Sequence, residues 1–379
     1  MSYLEYTVKS TPTGLRKILF LNWPLILLLT AVAGTGFLML YSVAGGSYTP
    51  WAGPQMKRFA LGLCLMLSIG LVPIWMWRNL AGVAYAVSVI LLISVEFFGA
   101  VGMGAQRWIE LGPLRLQPSE MTKITLVMFL AAYYDWLPAK KTSRPLWVLL
   151  PVLIIIAPTL LVIKQPDLGT AILLLAAGGG LMFLAGVHWA YFAAVLAAGV
   201  GLVAAVFQSR GTDWQMIKDY QFLRIDTFLD PSTDPLGTGY HIAQSKIALG
   251  SGGWMGRGFM QGTQSRLNFL PEKQTDFIFT TLAEEFGFVG GISLLTLYGL
   301  IVTFCIASAV MNKDRFSSLL TLGIGLNFFL FFAVNMSMVM GLAPVVGVPL
   351  PMVSYGGSAM LVLLLAFGLV QSAHVHRPR

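Results

Sequence analysis

The stretch PLWVLLPVLIIIAPTLLVI, residues 145–163, runs for nineteen positions without an ionisable side chain. A helix that crosses the hydrocarbon core needs about 20 mainly apolar residues, so this run has the length and character of a membrane span. Nine more runs of the same kind fall near 18–40, 58–76, 80–101, 119–137, 168–186, 187–208, 277–304, 316–341 and 354–373. They predict an all-α, polytopic membrane protein with about ten transmembrane helices. Composition agrees, because 56% of the 379 residues are hydrophobic and only 11% are charged, against about 25% charged in a soluble domain. The first run follows Arg16 and Lys17 as a signal peptide would, but it is longer than an h-region of roughly 7–15 residues and reads as the first span.

Lysine and arginine in the short connections set the orientation. A cytoplasmic N-terminus puts Lys9, Arg16, Lys17, Arg78, Lys140, Lys141, Arg144, Lys313, Arg315, Arg377 and Arg379 inside, and leaves Lys57, Arg58, Arg107, Arg115 and Lys164 outside. With ten spans both termini of this multi-pass membrane protein are expected in the cytoplasm. The net charge of +8 is what this asymmetry produces and does not point to nucleic acid. Cys64 and Cys305 lie inside apolar runs and read as inert buried thiols. The four histidines, His188, His241, His374 and His376, form no plausible metal-ligand set.

One connection differs from the others. Residues 209–275 form a long, polar, glycine-rich loop on the outer side, and its Trp214, Phe222, Trp254 and Phe269 predict packing against the membrane domain. No repeat or second globular domain interrupts 1–379, which reads as a single membrane domain.

Ionisable groups in or beside a span are costly and invite a functional reading. In Arg107-Trp108-Ile109-Glu110-Leu111-Gly112 and Arg115-Leu116-Gln117-Pro118-Ser119-Glu120-Met121-Thr122-Lys123, Pro118 or Ser119 is expected to start the fourth span, with Ser119 as its cap. Glu120 and Lys123 then share one helix face. They either orient a cation toward a diphosphate, with Arg107 and Arg115 above, or form a structural salt bridge. Asp167 is expected to serve a helix N-terminus. In Leu270-Pro271-Glu272-Lys273-Gln274-Thr275-Asp276-Phe277-Ile278-Phe279, Asp276 sits where loop meets span. It reads either as an N-cap or as a partly desolvated carboxylate with a raised pKa that suits a general base. Glu284 and Glu285 read as polar ties between segments, and Glu96 takes no role.

Asn335 and the long stretch from Gly341 to Ala359, with Pro344, Pro349, Pro351, Ser354, Tyr355, Gly356 and Gly357, resemble the C-terminal signature of the SEDS proteins (shape, elongation, division and sporulation). The motifs at 106–112, 117–120 and 270–279 are similar to others of that family, in its elongation form more than its division form. The resemblance covers essentially the whole chain. It implies a peptidoglycan glycosyltransferase that polymerises lipid II with undecaprenyl diphosphate as leaving group, with Asp276 at the catalytic position. It also implies a class B penicillin-binding protein and other elongation-complex membrane proteins as partners. Within that reaction, Arg107, Arg115 and Lys123, with Arg58 and Lys273 behind them, are candidates to meet the diphosphate, and a divalent cation (Mg or Mn) could assist. Two rival readings are a lipid II flippase and a non-enzymatic scaffold. A flippase would be expected to show an inverted repeat with broken helices at the midplane, and no such symmetry is visible in the sequence.

Overall fold

The structure is a computed structural model that describes residues 14–102, 105–111, 114–230, 238–267, 269 and 272–377. Gly112, Leu270, Pro271, Lys9 and Arg379 therefore lie outside the described residues. A short 3-10 helix, Gly14–Phe20, precedes seven helices in succession: α1 (Trp23–Val43), α2 (Ala52–Leu71), α3 (Ile74–Phe98), α4 (Pro118–Trp136), α5 (Pro145–Lys164), α6 (Leu168–Leu184) and α7 (Trp189–Gln208). Three shorter helices, α8 (Asp219–Leu229), α9 (Thr238–Ser251) and α10 (Thr263–Arg266), occupy the long loop. The chain returns through α11 (Ile278–Val310), α12 (Arg315–Val339) and α13 (Gly357–Val375).

Each of the ten expected spans coincides with one helix. Seven (α1, α3, α5, α7, α11, α12 and α13) are long and apolar enough to cross a bilayer on length and composition alone, and α6 is apolar but only 17 residues long. The other two, α2 and α4, carry Lys57 and Arg58 or Glu120, Lys123 and Asp135. Helix α4 packs inside the bundle against α3, α6 and α12, whereas α2 packs along α13 and leaves its other side exposed. Glu120 and Lys123 are buried among neighbouring helices, as intramembrane charge requires, while Lys57 near the start of α2 is exposed.

The third span ends at Phe98 rather than near 101, because a small antiparallel sheet follows it. Its strands, β1 (Ala100–Gly102), β2 (Ala105–Leu111) and β3 (Leu114–Leu116), pair in sequence order. The sheet caps the same face of the bundle as the long loop. Within that loop α9 packs on α11 and α12, and the ring of Trp254 meets Phe288 edge-on at 5.2 Å.

Residues 341–356, between α12 and α13, have no regular structure, yet Val348, Leu350, Met352, Val353 and Ser354 are buried. Within a membrane bundle such backbone survives only if its polar groups find protein partners. They do: Asn335 Nδ2 donates to Val348 O at 2.7 Å, Gln55 Nε2 to Ser354 O at 3.0 Å, and the Tyr298 hydroxyl to Pro351 O. Ser354 Oγ accepts from Leu350 N at 2.8 Å, and Tyr355 N donates to Gln274 O at 2.8 Å. A second break lies in α11, where Gly287 has φ +66°. There the backbone of 253–258 laces onto 284–289, with Phe288 N donating to Gly253 O at 2.9 Å and Arg257 N to Glu284 O at 3.0 Å.

Helix α1 approaches the irregular segment so closely that a Cβ on Gly36 would stand 2.7 Å from Val353 Cα and 2.9 Å from Met352 O. Gly34, two residues earlier, faces open space. Gly36→Leu should therefore destabilise the protein by about 3 kcal/mol or more, as overpacking against fixed backbone does, whereas Gly34→Leu should leave thermal unfolding in detergent near that of the wild type. Equal melting of the two variants would show that the segment does not rest on α1.

Candidate active site

Asp276 lies in a turn one residue before the N-cap of α11, which is Phe277, and that helix start has no side-chain cap. The capping alternative is therefore not what the carboxylate does. Its backbone is held instead, because Asn335 Nδ2 donates to Asp276 O at 2.9 Å with the same amide that holds Val348. Ser354 Oγ donates to Thr275 O at 2.5 Å. The carboxylate points at the irregular segment, with Oδ2 3.6 Å from where a Cβ of Gly347 would stand. Half-buried there, its pKa is pushed up to about 6, first by desolvation and then by the neighbouring Glu272 carboxylate. Lys273 Nζ turns away to donate to Ser265 O at 2.7 Å, and burial lowers its pKa.

A pocket lies along the irregular segment, lined by Pro349–Met352, Ser354 and Gly356 together with Glu120, Lys123, Asn327 and Phe331. Pro118 begins α4, as its missing N–H suits. Ser119 does not cap the helix, since Gln117 holds that position without a side-chain bond and the Ser119 hydroxyl is buried and unpartnered. The register of α4 then brings Lys123 Nζ to 2.7 Å from Glu120 Oε1, with Lys123 only 2% exposed. The ammonium also lies 3.8 Å from the centre of the Phe331 ring. Among the described residues Glu120 is its only recorded hydrogen-bond acceptor. Asn327 Oδ1, on the cavity wall, is buried without a partner.

The remaining cations are not gathered into one cradle. Arg107 donates to the backbone of the α5–α6 turn, to Gln165 O at 2.9 Å and to Pro166 O, and so fastens the sheet to that turn. Arg115 pairs with Glu110 at 2.9 Å on the exposed hairpin. Neither lines the cavity. Arg58 on α2 leans over the Tyr355 ring, 5.1 Å from its centre, and its Nη1 is buried without a partner. The structure thus places Lys123, Glu120, Arg58 and Asp276 around one segment and directs Arg107 and Arg115 to structural contacts. Gln55, fully buried on α2, went unnoticed in the sequence although it fixes Ser354; a lone amide at the start of an apolar run was its only signal.

The other acids serve structure. Asp167 caps α6 by accepting from Thr170 N at 3.3 Å. Glu284 accepts from Thr263 N at 2.7 Å and Gln264 N at 3.0 Å, and Glu285 from the Ser42 hydroxyl. These two carboxylates tie the long loop and α1 to the upper part of α11.

A helical membrane bundle with a half-buried carboxylate and a buried ion pair on either side of a broken segment defines a polytopic membrane protein with a polar site at its loop face. Residues 19–379 match the FtsW/RodA/SpoVE family of cell cycle proteins, and the chain belongs to that family. It is 42% identical to the peptidoglycan glycosyltransferase MrdB of Escherichia coli K12 over 93% of each chain. It is 34% identical to MrdB of Helicobacter pylori, with 84% of this chain and 81% of that one aligned. Among solved structures it is similar to a chain of a peptidoglycan synthase complex that coordinates polymerization and crosslinking, with a TM-score of 0.81 and 31% identity over 93% of this chain and 97% of that one. It is also similar to the rod shape determining protein RodA of Thermus thermophilus, with a TM-score of 0.70 and 28% identity over 95% and 98% of the two chains.

The two roles open to Glu120 and Lys123 can be separated by paired substitution. A bridge that is only structural tolerates joint neutral replacement, because a buried ion pair exchanged for well-packed neutral side chains is often neutral or stabilising. Lys123→Met alone and the double variant Glu120→Gln/Lys123→Met are both expected to be folded and inactive in polymerisation assays. Recovery of activity in the double variant would reduce the pair to a bridge.

Proposed function

We infer that this chain is a peptidoglycan glycosyltransferase that polymerises lipid II into glycan strands during cell elongation. The observation that carries the site assignment is Asp276: a half-buried carboxylate that caps no helix, anchored through its backbone and facing the broken segment, with a pKa near 6. The acceptor sugar's 4-hydroxyl attacks the anomeric carbon of the donor. The bond from that carbon to the diphosphate oxygen breaks with inversion, and undecaprenyl diphosphate departs with the bonding pair. Asp276 takes the hydroxyl proton as general base. Lys123, oriented by Glu120, meets the charge that grows on the diphosphate, where a preorganised cation in a dry cavity acts most strongly. Arg58, with an unsatisfied buried Nη1, is a second ligand for that charge. Lys273 and the more distant Arg107 and Arg115 hold the surroundings in place. A divalent cation (Mg or Mn) would need ligands from the substrate's own phosphates, because among the described residues no group of three or more His, Cys, Asp or Glu is arranged to hold one.

The site opens on the long-loop face, and in this reading that face is extracytoplasmic in the bacterial inner membrane. Both termini then lie in the cytoplasm. The loop and the adjoining ends of α11 and α12 are the surface offered to a class B penicillin-binding protein, which crosslinks the product. The flippase and scaffold readings lack a comparable observation, since neither calls for a carboxylate poised as a base.

Polymerisation of lipid II by the purified chain with its partner tests the assignment. The reactive form is the carboxylate, so the rate should be full above pH 7 and fall as pH drops through about 6. Asp276→Asn should keep its fold and partner and lose about 10²–10⁴-fold in rate. Near-normal synthesis by that variant would remove Asp276 from the mechanism. Topology is tested by impermeant thiol labelling of single cysteines in a chain lacking Cys64 and Cys305. A cysteine at the exposed Asp213 should react from outside intact cells and one at the exposed Lys140 should not, and the reverse pattern would invert the assignment.

A further inference from the structure

The face opposite the long loop carries a second built feature that the reaction does not use. Ser143, in the turn between α4 and α5, donates from Oγ to Gly186 O at 3.3 Å and accepts from His188 N at 3.0 Å. The Tyr191 hydroxyl donates to Ser143 O at 3.1 Å. Arg315 completes the junction by donating to Leu137 O at 2.9 Å and Ala185 O at 3.3 Å, the carbonyls that follow α4 and α6. The α4–α5 and α6–α7 turns are thereby locked into one surface.

That surface presents Lys140, Lys141 and Arg144 within five residues, and none of them makes a salt bridge among the described residues. Lys141 lies 5.3 Å over the Trp147 ring. The nearby acids are occupied, Asp135 by Arg78 at 3.2 Å and Asp314 by the start of α12. Between the cations the Thr142 hydroxyl is buried, 3% exposed, and has no partner. The exposed rings of Trp136 and Trp189 flank the turns, at the level where tryptophan marks the headgroup layer. Below the cations Leu146, Leu149 and Leu150 are exposed along α5. Three cations without salt bridges on a rigid turn, an aromatic girdle and an apolar strip for acyl chains describe one kind of ligand.

We propose that the joined α4–α5 and α6–α7 turns form a binding site for the phosphate headgroup of an anionic membrane phospholipid. The cations neutralise the phosphate, Trp136 and Trp189 lie at glycerol depth, and the acyl chains run along the outer face of α5. The site is remote from Asp276 and does not depend on the assigned reaction.

Native mass spectrometry of the full chain, released from detergent with either phosphatidylglycerol or phosphatidylcholine, tests this directly. The wild type should retain phosphatidylglycerol preferentially. The triple variant Lys140→Gln/Lys141→Gln/Arg144→Gln should lose at least about tenfold in that retention, since each surface cation contributes on the order of fivefold. A charge-matched control, Arg16→Gln/Lys17→Gln/Lys313→Gln, should bind as the wild type does. Equal retention of both lipids, unchanged preference in the triple variant, or equal loss in the control would overturn the proposal. So would displacement by inorganic phosphate beyond that caused by chloride at equal ionic strength, which would reassign the site to a free anion.

Discussion

Backbone amides and carbonyls buried in a membrane protein must be hydrogen-bonded, and residues 341–356 meet that demand without a helix. Two side-chain amides on two different helices anchor it: Asn335 on α12 holds Val348 and Asp276, and Gln55 on α2 holds Ser354. Each lost bond would leave a polar group in a dry interior, at a cost of about 1–3 kcal/mol. The segment is therefore fixed from both sides. Asp276, Lys123 and Arg58 all lie around it.

The two halves of the site follow from that constraint. On one side the segment walls the cavity that contains the Glu120–Lys123 pair. On the other it ties down residues 274 and 275 through Tyr355 N and Ser354 Oγ, next to Asp276, whose carbonyl Asn335 holds. In the proposed mechanism Asp276 and Lys123 act together only if their separation is held, and the strip between them is anchored on both sides. The same geometry leaves Asp276 half-buried, so that desolvation, and after it the like charge of Glu272, push its pKa up to about 6.

The opposite face is organised by the same chemistry applied to turns. Arg315 reaches the carbonyls that close α4 and α6, so one guanidinium joins two helix C-termini, where positive charge is favoured. Ser143 adds a hydroxyl that both donates and accepts across the two turns. The bundle is thus pinned at both ends by side-chain bonds to backbone, while its middle relies on close apolar contact such as that of α1 with Val353.

The sequence by itself determined the ten helical runs, the start of α4 to within Pro118 or Ser119 and the shared helix face of Glu120 and Lys123, because each depends on local period, length or spacing. It also placed Asp276 at the junction of loop and span. Tertiary structure alone decided which cations face the cavity. Arg107 and Arg115 stand beside Lys123 in sequence, yet a small sheet turns one toward the 165–166 carbonyls and the other toward Glu110. Tertiary structure also gave Gln55 its role, since a single amide in an apolar helix has no legible purpose until the carbonyl it serves, 299 residues away, is brought against it. Hydrophobic period is written into neighbouring residues, whereas the satisfaction of a buried polar atom is a property of whatever distant backbone the fold sets beside it.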